Sequence, residues 1–332
     1  MYRHKLSFYA VHAWLGLALS SLVLAASTSS SLLHQYSDGT WIEALTVRSN
    51  GLILATDASA PHLYSINPFH GTSDLVFTFP SATGAVGIVE VRPEFFVVVA
   101  GTFSLQTYLG ETGSFSLWAV DYSRCGPGDA HPIVTKYMDW PEAKFGDGLT
   151  TLPGRSDMVL GADLNLGVVF RLNLDRRTAE IAIADPLMGP GSTIIGVDGI
   201  KIFHNTLYFT NPGQEIIGAV PVDSTGSATG PSRVIAPIGG DDFAIDGQKG
   251  GRLFTVGGSN VLSQIDLASL SVHNLTMLPG PTACQFGRTL NDTGCLYVTT
   301  SGGDAEYAEL PVSVGGAIYA VDVFGNNSCP QW

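Results

Sequence analysis

The chain is short of charge, of histidine and of cysteine, and each scarcity closes off a class of function. Only 14% of its 332 residues are charged, and 16 lysines and arginines face 29 acids, for a formal net charge of -13. Nucleic acid is therefore excluded as a partner, because phosphate binding needs clustered basic surface. So little charge also argues against a disordered or coiled-coil chain, both of which are charge-rich. The sequence has no Gly-x-Ser-x-Gly elbow and no phosphate-binding glycine loop, so serine-hydrolase and P-loop chemistry lack their local signatures. The four cysteines show neither Cys-x-x-Cys nor zinc-type spacing. Past residue 31 no low-complexity stretch offers a linker.

What is present begins with a processing signal. Arg3 and Lys5 precede an almost wholly apolar run over residues 10–26, which ends on the small residues Ala25, Ala26 and Ser27. This pattern predicts a cleaved signal peptide over residues 1–27. An uncleaved anchor is the alternative, although the run is short for a membrane span. Cleavage would take the net charge to -15, since Arg3 and Lys5 leave with the peptide. No other stretch is apolar and long enough to cross a bilayer, so the expectation is a secretory-pathway or secreted protein with no stable span after cleavage. Residues 28–332 would form a single domain. Asn274, Asn291 and Asn326 head glycosylation sequons. Cys125, Cys284, Cys295 and Cys329 are even in number, as disulfides require. Three pairings are open, and Cys284–Cys295 is favoured because both are expected on neighbouring strands of one hairpin.

A short β-rich run ending in Asp or Asn recurs six times. It occupies residues 63–67 (LYSIN), 117–121 (LWAVD), 169–173 (VFRLN), 218–223 (GAVPVD), 262–266 (LSQID) and 318–322 (IYAVD). Successive copies end 54, 52, 50, 43 and 56 positions apart. A period near fifty residues predicts a propeller blade of about four strands. The 39 glycines and 18 prolines suit the many turns this needs. In the fourth unit, strands are predicted over residues 197–203, 206–210, 216–222 and 232–236. One such sheet cannot bury both faces alone, so the units must stack around an axis. The sixth unit runs out before its outer strand, while residues 32–37 belong to no blade. The fold class is therefore all-β: a six-bladed β-propeller of four-stranded blades, the last completed by the N-terminal strand. Such closure removes an open edge.

Alignment of the first strand of each unit locates the candidate chemistry. The six read EAL from Glu43, VGI from Val86, DGL from Asp147, DGI from Asp198, DFA from Asp242 and TAC from Thr282. Equivalent positions converge on the axis, so Glu43, Asp147, Asp198, Asp242 and Thr282 should share the channel mouth. Four close carboxylates repel unless something relieves them. Ca²⁺ or another divalent metal held by those four would do so, as would protonation or water. Two long loops, residues 101–114 and 300–315, should overhang this face and bring Phe103, Tyr108 and Tyr307 to its rim. These aromatics could equally serve to pack their loops. His34, His70, His131, His204 and His273 fall on outer strands or the opposite face. Only His62 could approach the mouth, so a histidine-based hydrolase has little support.

The segments 39–43 (GTWIE), 47–51 (VRSNG), 196–201 (GVDGIK), 207–211 (LYFTN), 240–244 (GDDFA) and 296–300 (LYVTT) resemble the senescence-marker/gluconolactonase-like six-bladed propellers. The resemblance spans nearly the whole mature length and is closest to a fungal secretory branch. It implies that Glu43 and Asp242 match the acidic metal ligands of the wider family. Asp147 and Asp198 stand where that family usually has asparagine. The branch also resembles the hetero-Diels–Alderases of tropolone–sesquiterpenoid pathways, such as those to eupenifeldin and xenovulene. That resemblance implies a cyclase of fungal meroterpenoid metabolism, acting on a small polyketide and a terpenoid and needing no cofactor. It carries over no catalytic residue. The alternatives are a divalent-metal-dependent lactonase and a non-catalytic extracellular propeller that binds a small ligand.

Overall fold

A computed structural model describes residues 28–125, 131–247, 251–257, 260–303 and 314–330. The expected signal peptide, residues 1–27, and Tyr307 lie outside the described residues.

The N-terminal strand β1 (Ser29–Gln35) precedes the first blade, β2 (Ile42–Val47), β3 (Ile53–Asp57), β4 (His62–Asn67) and β5 (Thr72–Thr78). The second blade holds β6 (Gly84–Arg92), β7 (Phe95–Gly101), β10 (Ser116–Asp121) and β11 (Ile133–Asp139), with a small hairpin of β8 (Phe103–Ser104) and β9 (Leu109–Gly110) inserted. The third comprises β12 (Gly146–Thr151), β13 (Met158–Asp163), β14 (Val168–Asn173) and β15 (Thr178–Ala184). The fourth comprises β16 (Ile200–Phe203), β17 (Thr206–Asn211), β18 (Ile216–Pro221) and β19 (Arg233–Ala236). The fifth comprises β20 (Phe243–Asp246), β21 (Arg252–Thr255), β22 (Val261–Asp266) and β23 (Val272–Met277). The sixth has only β24 (Pro281–Phe286), β25 (Leu296–Thr300) and β26 (Ala317–Asp322) of its own. Strand β1 pairs antiparallel with β26 and supplies its fourth strand. The ring is thus closed by its own N-terminus, as the sequence predicts.

Each blade hides its middle strands and exposes its outer one. All seven residues of β7 (FFVVVAG) are buried, because blades pack against both of its faces. Outer strand β15 (TAEIAIA) is mostly exposed or half-buried. Burial on two faces favours continuous β-branched and aromatic runs, whereas an edge favours polar residues. Six apolar clusters follow, one for each seam between neighbouring blades. Val97, Leu117, Trp140, Val159 and Phe170 fill the seam between the second and third blades. Leu33, Ile42, Val47, Tyr297 and Ile318 fill the seam that closes the ring.

The recurring Asp or Asn has a local cause. Each ends the third strand of its blade, or in the fourth blade follows it by two residues, and caps the turn that follows. Asn67 Oδ1 accepts from the Phe69 N–H, Asp121 from Ser123, Asn173 from Arg176, Asp223 from Thr225, Asp266 from Ala268 and Asp322 from Phe324. Such side-chain turns are where these residue types stabilise a chain reversal.

The disulfide expectation is corrected. Cys295 pairs with Cys329, and Cys284 is a buried free thiol. Cys284 and Cys295 do lie on one hairpin, but its register sets Cys284 opposite Val298 and brings Cys295 beside Gly287. The two cysteines are therefore offset along the strands. The C-terminal segment instead folds back and delivers Cys329 to Cys295.

Ring closure generates two stability predictions. Leu33 sits at a bulge in β1 and points into the closing seam. Leu33→Ala should lower the unfolding free energy in urea by about 2–5 kcal/mol, while Ser30→Ala on the exposed side of β1 should change it by less than about 0.5 kcal/mol. Equal stability of both variants would show that β1 does not hold the ring closed. Cys329→Ser opens a loop spanning 34 residues and should cost about 3–4 kcal/mol by the loop-closure relation, read in the same urea titration.

Candidate functional site

The inner strands meet in a ring ordered β2, β6, β12, β16, β20, β24 and back to β2. They approach so closely that glycine is required where they touch. A Cβ on Gly87 would lie 2.1 Å from the Asp147 carbonyl oxygen, and one on Gly148 would lie 2.3 Å from that of Asp198. On Gly199 it would lie 2.4 Å from the Asp242 carboxylate. The Asp-Gly pairs of the inner strands are thus interlocked, each glycine seating the backbone or side chain of an acid from the next blade.

Irregular backbone re-aims the acids. Ladder pairing breaks between Ile42 and Leu45, Ala85 and Ile88, Gly146 and Leu149, and Pro281 and Cys284. Strands β16 and β20 begin only after Asp198 and Asp242. Bulges of this kind redirect side chains beside functional sites. Here they turn Glu43, Asp147, Asp198 and Asp242 toward a central cavity of about 270 Å³. Asp241 joins them, giving five carboxyl groups on one wall.

One lysine stands among the five acids. The Lys201 ammonium donates to both oxygens of Asp242, at 2.8 and 2.9 Å. The other acids are held toward their protonated forms. Burial pushes Glu43 up to about 7, with Asp242 adding repulsion and a hydrogen bond from the Trp41 indole opposing it. Asp147 is raised well above the usual carboxylate range by burial and then by repulsion from Asp198, Glu43 and Asp242. Asp241 is raised by burial and then by Glu43, Asp198, Asp147 and Asp242. For Asp198, burial and repulsion from Glu43 and Asp242 outweigh the pull of Lys201 and a hydrogen bond with Asp241. Burial and the crowding of like charges thus hold both Asp198 and Asp241 toward their protonated forms.

The cavity continues along the inner strands, past Thr46, Val89 and Thr151, to Glu90, Gln285 and Arg288. It is polar, carboxyl-rich at one end, and bordered by a Glu90–Arg288 ion pair at the other. Among the described residues no group of three or more His, Cys, Asp or Glu is placed to hold a metal ion. Lys201 already neutralises Asp242 through both of its oxygens.

Other expected site residues lie elsewhere. Thr282 is 2% exposed and does not line the cavity. Its hydroxyl donates to the Ile42 carbonyl at 2.7 Å and meets the Thr299 hydroxyl at 2.9 Å, tying the sixth blade to the first. Phe103 is a packing residue: its ring stacks on Phe145 at 4.7 Å and presses onto Gly84, where a Cβ would lie 2.5 Å from it. Tyr108 turns the β8–β9 hairpin with φ 52°, and its carbonyl accepts from Asn165 at 2.8 Å. Neither aromatic lines the cavity. His62 Nδ1 lies 3.1 Å from the Tyr64 hydroxyl and 3.9 Å from Asp57, also away from it. Asn274, Asn291 and Asn326 are all exposed.

Asp241, Lys201, Glu90 and Arg288 escaped the sequence alignment. Strict alternation would put Asp241 and Asp242 on opposite sides of a strand, and Lys201 opposite Asp198. The irregular entry into β16 and β20 removes that rule. The tandem acids at 241 and 242 were the one available signal.

The acids make stability depend on pH. Their folded-state pKa values lie above the unfolded ones, so from the ordinary carboxylate range up to those raised values, about 7 for Glu43, the folded chain binds more protons than the unfolded chain. The contribution of these groups to stability is thus full at low pH and falls as pH rises through that window. Asp241→Asn should flatten the fall and raise stability by about 1–3 kcal/mol near pH 8. Thermal melts of both proteins from about pH 5 to 8 measure this, and parallel curves would refute the account.

No family model matches the chain. Two curated fungal proteins are similar along most of it. One, from Phoma sp, named "Putative hetero-Diels-Alderase", is 27% identical over 86% of this chain and 90% of its own length. Another, from Sarocladium schorii, carries the same description with the designation asR5 and is 26% identical over 89% of this chain and 84% of its own length. Among solved structures, a luciferin-regenerating enzyme superimposes with TM-score 0.64 at 14% identity, covering 90% of this chain and 96% of that one. A calcium-binding regucalcin from Agrobacterium tumefaciens gives TM-score 0.63 at 14% identity, covering 89% and 95%. The chain is a six-bladed propeller of the regucalcin-like architecture, similar in sequence to fungal proteins named as hetero-Diels-Alderases.

Proposed function

We propose that this propeller is a small-molecule cyclase of fungal secondary metabolism, catalysing an intermolecular hetero-Diels–Alder reaction. The substrates proposed are a tropolone-type quinone methide and a humulene-type sesquiterpene. The observation that carries this reading is the cluster of carboxyl groups held toward their acid forms in a cavity with no histidine among its described lining residues. Similarity to the two fungal proteins supports it.

In this reaction the conjugated ketone and the alkene exchange three π bonds for one new C–C bond, one new C–O bond and one π bond. No proton or electron is gained or lost, so neither a nucleophile nor a cofactor is required. The enzyme's contribution is to hold the two partners in reacting geometry and to stabilise charge that develops on the ketone oxygen. Protonated Asp147, Asp198 or Asp241 can donate a hydrogen bond to that oxygen and keep the proton afterwards. Ionised carboxylates at the same places would repel it. The cavity volume lies near the lower end for small-molecule sites, which suits the polar head of the ketone better than both partners together.

A second reading, lactone hydrolysis, is favoured by the raised Asp198 and Asp241 carboxyl groups on the same cavity wall, which could serve as base and acid toward water. The secretory pathway is proposed as the location. The Cys295–Cys329 bond and the three exposed sequons support it.

Purified protein should convert a quinone methide precursor and humulene to one enantiomer of the cycloadduct, in the presence of chelator, as read by chiral chromatography. Asp147→Leu should lower the rate about 10²-fold, with partial recovery in Asp147→Asn, which keeps an N–H donor. The rate should fall as rising pH ionises the raised Asp147, Asp198 and Asp241 carboxyl groups. A racemic product at the background rate, or chelator-sensitive lactone hydrolysis, would sink the cyclase reading.

A further inference from the structure

At the end of the cavity opposite the acids lies a guanidinium whose environment is built but only partly used. Arg288 Nη1 donates to the Val47 carbonyl at 2.9 Å and to Glu90. These two contacts, on the first and second blades, fix the plane of the group. Glu90 is itself held, since its Oε1 accepts from the Glu94 N–H at 2.8 Å. Glu94 is anchored in turn by Arg48 at 2.7 Å. Nε and Nη2 of Arg288 make no hydrogen bond to the described residues, and the side chain lines the cavity at 37% exposure. A guanidinium held by one nitrogen presents its free edge as two parallel donors, a geometry that matches a carboxylate or two adjacent oxygens.

We infer that Arg288 is a substrate-binding and specificity-determining residue, receiving an acidic oxygen pair on the ligand: the ionised hydroxyl and adjacent carbonyl of an α-hydroxyketone, or a carboxylate. This deepens the cyclase reading and rests on it for the identity of the substrate. The acids at one end of the cavity and Arg288 at the other orient the molecule lengthwise along the axis. The same oxygens masked as an ether lose the charge-assisted bond while keeping nearly the same shape. Glu90 keeps Arg288 in place and limits the site to ligands that can use two donors at once. A single point charge at this position, as in Arg288→Lys, would retain attraction but lose the paired geometry.

The test measures binding rather than turnover. Calorimetry would compare tropolone with its methyl ether, and benzoate with methyl benzoate, at a pH where the acids of both pairs are ionised. Wild-type protein should bind the ionised member of each pair about tenfold to a hundredfold more tightly, the range for a hydrogen bond to a charged group. Arg288→Gln should abolish the preference, and Arg288→Lys should keep only part of it. Should Arg288→Gln not fold, the wild-type preference and its loss in the lysine variant decide the matter. Equal binding of acid and ether by wild-type protein, or an undiminished preference in the variants, overturns the assignment. A clear Arg288-dependent preference in a protein that forms no cycloadduct would sink the cyclase reading alone.

Discussion

The structure depends on how closely six inner strands approach one axis. Interlocking glycines let the main chain of one blade lie against the carbonyl or carboxyl of the next, with no room for a single methyl group at Gly87, Gly148 or Gly199. That proximity forces together any side chain that the bulged strand entries turn inward. Five carboxyl groups are crowded in this way beside one lysine. Fold and site are therefore two consequences of the same packing.

Crowded buried acids resolve their repulsion in one of three ways: by a cation, by water or by protons. In this chain Lys201 satisfies Asp242, and the remaining acids move toward protonation. Asp147 and Asp198, which stand where the resembled family usually has asparagine, are two of the acids so raised. A carboxylic acid donates a hydrogen bond, which a carboxylate cannot do. Donors buried in a fixed cavity would act where charge develops on a bound ketone under the proposed cycloaddition.

The stability of the ring is spread around its circumference. Each seam has its own apolar cluster, so no single core dominates. The weakest place in such an arrangement is where the chain begins and ends. There β1 completes the sixth blade, and Cys329 is bonded back to Cys295 in the same blade. Across the channel end, Arg288 joins the sixth blade to the first and second through Val47 and Glu90. The closing seam is thus tied at the rim by covalent and strand pairing and at the axis by charge.

The sequence by itself determined the number of blades, their four-strand pattern and the closing role of the N-terminal strand. These rest on local signals: a turn-capping Asp or Asn after every third strand, and burial on two faces in the strands between. It also located four of the five carboxyl groups, because equivalent positions in a repeat converge. Tertiary structure alone decided what those groups do. The bulges at the strand entries break the period of two, and so bring in Asp241 and Lys201 while turning Thr282 into a seam. Register, not adjacency on a hairpin, set the Cys295–Cys329 pair, and the packing of Phe103 against Phe145 removed it from the cavity. Each of these outcomes is settled by contacts between segments distant in sequence, which no local pattern records.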